Sequence, residues 1–231
     1  MINKIVRTMA EALDGIKDGS TVLIGGFGSV GQPDALIEAL IETGVKNLTI
    51  ALNNAGSGHV GVAKLMEVGS VRKIICSFPR SSDPVVFETL YREGKLELEI
   101  TPQGTLAERI RAAAAGIPAF FTATGAGTLL ARGKESRVID GREYILETAL
   151  KADVALVEAW QADRWGNLVY RGSGANFNPT MAAAATLTVA QVQNIVELGD
   201  LHPHMVGTPG VYVNRVIQVD RGEPWTKPEE A

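Results

Sequence analysis

The chain has 231 residues, 45% apolar and 21% charged, with a formal net charge of −4, which fits a globular protein with enough sequence for one large α/β domain. No Lys/Arg cluster accompanies that acidic balance, so neither nucleic acid nor an anionic membrane surface is an expected partner. No window approaches the ~18 apolar residues of a membrane span and the amino terminus lacks a signal-like apolar run; with Cys76 alone in the apolar run 74–78, as a buried thiol without a disulfide partner, the expected location is cytoplasmic.

Ile5, Met9, Leu13 and Ile16 lie close to helical spacing and predict a first helix over 5–16, closed by the Asp18-Gly19 turn. Thr21 to Ile24 reads as a short strand. It runs into a loop carrying Gly25, Gly26, Gly28 and Gly31, and Pro33 then opens a helix. Glycine admits positive φ and close approach of another backbone or an anion, and the free N–H groups of a helix start favour negative charge. Residues 18–33 therefore have the pattern of a ligand-binding strand-to-helix turn. The helix buries Ala35, Leu36, Ala39 and Leu40 and ends at Gly44.

Leu48 to Leu52 is the next strand, and Asn53-Asn54-Ala55-Gly56-Ser57-Gly58 a second polar turn at a strand's carboxyl end. Val62 to Val68 reads as a short helix, Val71 to Phe78 as a strand and Pro84 to Arg92 as a helix. Leu96 to Ile100 alternates apolar and acidic residues, as an edge or half-exposed strand does. A third turn, Thr101-Pro102-Gln103-Gly104, leads into an alanine-rich helix reaching Gly116, followed by a strand at Ala119 to Thr122 and a glycine-rich loop over 124–133.

Strand, turn and helix thus recur every ~25 to 30 residues, the mark of consecutive βαβ units, and the turns at 25–33, 53–58, 77–83 and 101–104 are expected to gather at one ligand-binding sheet edge. Beyond residue 135 the chain is richer in strands: 138–139, 144–147, 154–160, 168–170, 186–192 and 211–219, with one helix near Pro179 to Ala185. The expected fold class is α/β, a mostly parallel sheet with flanking helices and a β-richer carboxyl half. Residues 1–222 read as a single domain, and 223–231, with two prolines and mixed charge, as a disordered tail.

Gly26-Phe27-Gly28-Ser29-Val30-Gly31 satisfies the dinucleotide fingerprint, but the acidic residue that would hold a ribose is replaced by Asn53 and Asn54. His59, His202 and His204 are too scattered for a metal site, Cys76 has no CxxC partner, and no GxSxG elbow occurs. Neither a metal nor a permanently bound cofactor is expected.

Read together, the turns resemble a family. Asp18-Gly19 through Gly25-Gly26-Phe27, Gly31 and Pro33 is similar to the first signature of the family I CoA-transferases, in their A (α) subunit. The resemblance continues through 53–56, 101–112, 116–120, 124–128, 163–168, Ala175-Asn176-Phe177-Asn178-Pro179 and 208–211, and so covers nearly the whole chain. It implies a NagB/RpiA/CoA-transferase-like fold and CoA or acyl-CoA as substrate. It also implies a ping-pong transfer through a glutamyl-CoA thioester whose glutamate belongs to a B (β) subunit, in a Ser-Glu-Asn-Gly motif that this chain lacks. A heterotetramer inactive without its B subunit is expected. The stretch 71–83 is most similar to the branch of the family that moves CoA from succinyl-CoA to 3-oxoadipate.

Gln103 matches the family's oxyanion-stabilising glutamine; acyl transfer builds negative charge on a carbonyl oxygen, and a neutral amide can receive it. The alternative for Gln103, from its position alone, is a cap on the helix that follows. Gly25, Gly26, Phe27, Gly28 and Gly31 are expected to wall the CoA site. Asn53 and Asn54 either orient the substrate carboxylate or brace the loop, against the alternative of an Asx turn. Arg80 is the candidate fork for the distal carboxylate that 3-oxoadipate has and acetoacetate lacks, against the alternative of a solvated surface arginine. The rival readings are a transferase of the acetate/acetoacetate or succinyl-CoA:3-ketoacid type, and a non-catalytic acyl-CoA or sugar-phosphate binding module on the same fold.

Overall fold

The computed structural model describes residues 2–220, so the tail expected over 223–231 lies outside the described residues. Eight strands form the main sheet, in the order β11 (Arg215–Gln218), β10 (Ala185–Ile195), β8 (Ala152–Ala162), β1 (Thr21–Ile24), β2 (Leu48–Ala51), β3 (Val71–Cys76) and β4 (Glu97–Ile100), with β9 (Leu168–Val169) hung on β8. All pairs along this order are parallel and only β8–β9 is antiparallel. The fold class is α/β, as expected.

Period-two alternation sorts the strand side chains onto two apolar faces. Val22, Ile24, Ile50 and Ile74 join a cluster with α1 (Met9–Leu13), α2 (Asp34–Glu42), α3 (Gly61–Glu67) and α4 (Val85–Arg92). Leu23, Ala51, Ile75 and Ala155 join a second cluster with α5 (Gln103–Ala114) and α6 (Asn178–Ala182). Burying a leucine such as Leu23 contributes about 1.5–3 kcal/mol and the side chain is fully buried. Ala51, Ala155, Ala159 and Ala190 on the second face are small, which lets α6 lie close to the sheet.

Three expectations need correction. The first helix covers only Met9–Leu13, starting at a Thr8 capping box; Ile5 instead bridges Val216 as an extra extended segment beside β11, where the edge strand's free backbone groups take partners. The stretch 211–219 is a strand only over Arg215–Gln218, after a 3₁₀ turn at Gly210–Tyr212. Finally, β5 (Ala119–Thr122) leaves the main sheet and pairs antiparallel with β7 (Arg142–Thr148), which also pairs β6 (Ser136–Ile139), in a separate three-stranded sheet. By contrast, β4 is the edge strand that its alternating pattern predicts. Among the described residues no helix is long and apolar enough to cross a membrane.

Candidate active site

The turns that follow β1, β2, β3 and β4 meet, as expected for the carboxyl edge of a parallel sheet. They enclose a cleft of about 700 Å³ whose walls include Phe27, Gly28, Asn53, Asn54, Phe78 and Gln103. No lysine, arginine, aspartate or glutamate is among its described lining residues; five serines and four side-chain amides are.

Gln103 is the first residue of α5, after Pro102 at the N-cap. Its Nε2 donates to Asn53 Oδ1 at 2.8 Å, so the amide is tied to the turn after β2. Asn53 is buried, and the same Oδ1 accepts from Ser77 Oγ at 2.8 Å. Two donors, one from the turn after β3 and one from the start of α5, therefore fix one amide oxygen. Asn53 thereby braces Gln103, leaving the second N–H of Nε2 for a ligand. Asn54 Oδ1 accepts from Gly56 N–H at 3.0 Å, an Asx turn.

The glycines divide by role. Gly28 has φ +62° and open space where a Cβ would stand, on the cleft side. A Cβ on Gly25 would lie 1.8 Å from Asn178 Oδ1, and one on Gly31 would lie 2.5 Å from Gly174 O. Gly25 and Gly31 are thus glycine because protein packs on them, and neither lines the cleft. Gly26, at φ +116°, donates its N–H to Asn176 Oδ1 at 3.1 Å. Asn176 and Asn178 hold the loop from behind: Asn176 Nδ2 donates to Val30 O, and Asn178 Nδ2 to Gly31 O and Gly174 O, while Asn178 Oδ1 accepts from Glu158 N–H at 2.9 Å. These two asparagines were legible only as part of a motif. Phe27 closes a two-residue turn with Val30 through reciprocal backbone bonds and is about half exposed at the cleft mouth.

The helix start behind the loop is not an empty anion site. Asp34 occupies the first turn of α2, paired by Gln32 Nε2 at 2.7 Å, and buried Gln191 Oε1 accepts from Leu36 N–H at 3.2 Å. Arg80 is 73% exposed, holds Glu88 through Nε at 2.8 Å and does not line the cleft. The turn places Ser81 and Ser82 in the lining instead, beside Ser57, three residues that no sequence motif singles out.

Cys76, in β3 behind this edge, is a free and fully buried thiol whose pKa burial pushes up to about 12, so it is no nucleophile. Tyr170 is also pushed up by burial, with Thr208 as its hydroxyl partner at 2.7 Å. Trp165 remains 43% exposed whereas Val169 is buried, so of the aromatic and apolar residues in this half only part is surface.

The model of the coenzyme A transferase family matches residues 6–219. The chain belongs to that family. It is 58% identical over 219 residues, 95% of each chain, to the A subunit of 3-oxoadipate CoA-transferase from Pseudomonas putida. It is 52% identical over 202 residues, 87% of this chain and 83% of the other, to the A subunit of succinyl-CoA:3-ketoacid coenzyme A transferase from Xanthomonas campestris. Among solved structures, an acyl-CoA transferase of Escherichia coli O157:H7, crystallised as a thioester complex with CoA, superposes with a TM-score of 0.83 at 23% identity, covering 96% of this chain and 48% of that one. This chain therefore spans about half the length of that larger transferase. Glutaconate coenzyme A-transferase of Acidaminococcus fermentans shares the fold at a TM-score of 0.80.

Proposed function

We propose that this chain is the A subunit of a cytoplasmic heteromeric transferase that moves CoA from succinyl-CoA to a 3-oxo acid, first of all 3-oxoadipate. The single observation that carries this reading is a cleft with an amide donor and no carboxylate: Gln103 is held by Asn53, and none of the described lining residues is Asp or Glu. Such a site stabilises charge on an acyl oxygen but supplies no carboxylate nucleophile, so a partner must bring one. Residues 1–222 would act as one domain against that B subunit, in a heterotetramer, with acyl-CoA as substrate and no resident cofactor. Identity of 58% to a chain of a 3-oxoadipate transferase, against 52% for the 3-ketoacid relative, favours the dicarboxylic acceptor.

In this mechanism the partner's carboxylate attacks the thioester carbonyl, and the oxygen that gains negative charge accepts from Gln103 Nε2. Asn53 keeps that amide turned toward the cleft, and Gly28 lets the thioester approach backbone without a Cβ between them. The test is co-expression with a candidate B subunit. Exchange of CoA between succinyl-CoA and 3-oxoadipate is expected in the mixture only. Exchange by this chain alone, or none with any B subunit while it binds acyl-CoA tightly by itself, overturns the reading.

A further inference from the structure

The turns after β2 and β3 are laced together by four serine hydroxyls, and three of their four protons are engaged in the bonds they make. Ser77 Oγ bonds Asn53, at 3.0 Å to the main-chain oxygen and 2.8 Å to Oδ1. Ser81 Oγ donates to Gly56 O. Ser57 Oγ accepts from Asp83 N–H at 3.2 Å and lies 3.1 Å from Ser82 Oγ. A serine hydroxyl has one proton and two lone pairs. The Ser57–Ser82 bond uses one of the pair's two protons, whichever residue donates, and the other O–H remains available. Both residues line the cleft. Because the oxygen that keeps its proton accepts from the other hydroxyl, its O–H is polarised further than that of a lone serine.

The charged residues of the same segment do not share this position. Arg80 and Asp83 are exposed and outside the lining, and Arg80 is paired with Glu88. Phe78 and Val60, both largely exposed, line the same cleft as the serine pair and add apolar surface to it. Resting on the reading of this chain as part of a transferase for 3-oxo acids, we propose that the Ser57–Ser82 hydroxyl pair is this chain's site for the distal carboxylate of a dicarboxylic 3-oxo acid. The pair takes the role that the sequence alone suggested for Arg80. A carboxylate oxygen accepts the pair's free O–H, and a neutral donor holds it without an ion pair. An acceptor ending in a methyl group gains nothing from the pair.

The two acceptors to compare are 3-oxoadipate and 3-oxohexanoate, which has the same six-carbon chain with a methyl in place of the distal carboxylate. The measurement uses the complex with the B subunit. In Ser57→Ala/Ser82→Ala the ratio of kcat/KM for 3-oxoadipate over 3-oxohexanoate is expected to fall about tenfold to a hundredfold, the size of losing a hydrogen bond to a charged group. Ser82 is exposed, so Ser82→Ala alone is expected to keep the fold, checked by its melting temperature, and to show a smaller fall in the same ratio; Ser82→Thr, which keeps the hydroxyl, should restore it. An unchanged ratio in the double variant overturns the proposal whatever happens to the separate rates. So does a fall in the ratio caused by Arg80→Met with the serine variants neutral. Exchange between succinyl-CoA and succinate by the wild-type complex without any use of 3-oxoadipate would instead overturn the substrate reading itself, and the subsite with it.

Discussion

The glycine loop at 25–31 and the serine turns at 53–58 and 77–83 line one cleft but are built in opposite ways. The loop is held from behind by Asn176 and Asn178, some 150 residues away in sequence, and most of its glycines answer to that packing. The serine turns follow adjacent parallel strands and are tied by their own side chains, so their hydrogen bonds are local to two neighbouring strand ends. One wall is therefore a preset backbone surface, and the other is a set of donors. Gln103 belongs to the donor wall through Asn53. This contrast explains why glycine is needed for two separate reasons within seven residues.

Replacing Gln103 by Ala is the harshest test of the donor wall. The expected loss is about a hundredfold to a thousandfold in kcat, as for removal of one oxyanion donor, with a stability cost of about 0.5–1.5 kcal/mol for the lost bond to Asn53. Steady-state kinetics of the heteromer together with a melting curve would decide it; retained kcat would remove Gln103 from the mechanism. For the loop, Gly25→Ala forces a Cβ into Asn178 and breaks a fully buried amide network. It should cost about 3 kcal/mol, from overpacking and lost buried hydrogen bonds together, measured by denaturant unfolding. Gly28→Ala meets open space and strains only the positive φ. It should cost about 1 kcal/mol while still impairing turnover, since its new methyl stands where the thioester would approach. Equal destabilisation by the two alanines, or full activity in Gly28→Ala, would dissolve the distinction between packing glycines and cleft glycines.

The smallest effect concerns the support beneath the donor wall. Arg109 of α5 holds Glu99 of β4 at 2.6 Å and Thr148 O at 2.9 Å, and Lys73 of β3 holds the other Glu99 oxygen at 2.6 Å. Burial opposes ionisation of Glu99, but its bonds to Lys73 and Arg109 outweigh that, and its pKa lies below the usual glutamate value. A carboxyl with a depressed folded pKa stabilises the protein above its unfolded pKa of about 4.3, and that stability is lost as pH falls through the lower folded value. Glu99→Gln should therefore flatten the acid limb of the stability profile below about pH 4. An acid limb as steep as that of the wild type would show that this network does not couple to folding.

Most of the parallel sheet was legible because it depends on local pattern. Apolar runs of four to six residues, glycine or asparagine at their ends and a helical period after each fixed β1 to β4 and the helices between them, as well as the edge position of β4. The strand at 119–122 looks the same locally, and only its partner, β7, reveals that it belongs to another sheet. In the site, Gln103 and Asn53 could be named from their turns, and Gln103 from a family resemblance, but the bond between them joins residues 50 apart. Arg80 drew attention because charge is visible in a sequence; the pairing with Glu88 that takes it to the surface is not. Ser57 and Ser82 drew none, since a serine in a turn is ordinary and its significance lies in the 3.1 Å that separates two of them. The sequence by itself determined the order of strands and helices, the edge at which their turns meet and the need for glycine after β1, because periodicity and backbone freedom are properties of neighbouring residues. Only the tertiary structure decided which glycines face a ligand, which pair of hydroxyls keeps a proton to give and which cation is already paired. Those depend on contacts between segments that are distant in the chain, which local pattern does not encode.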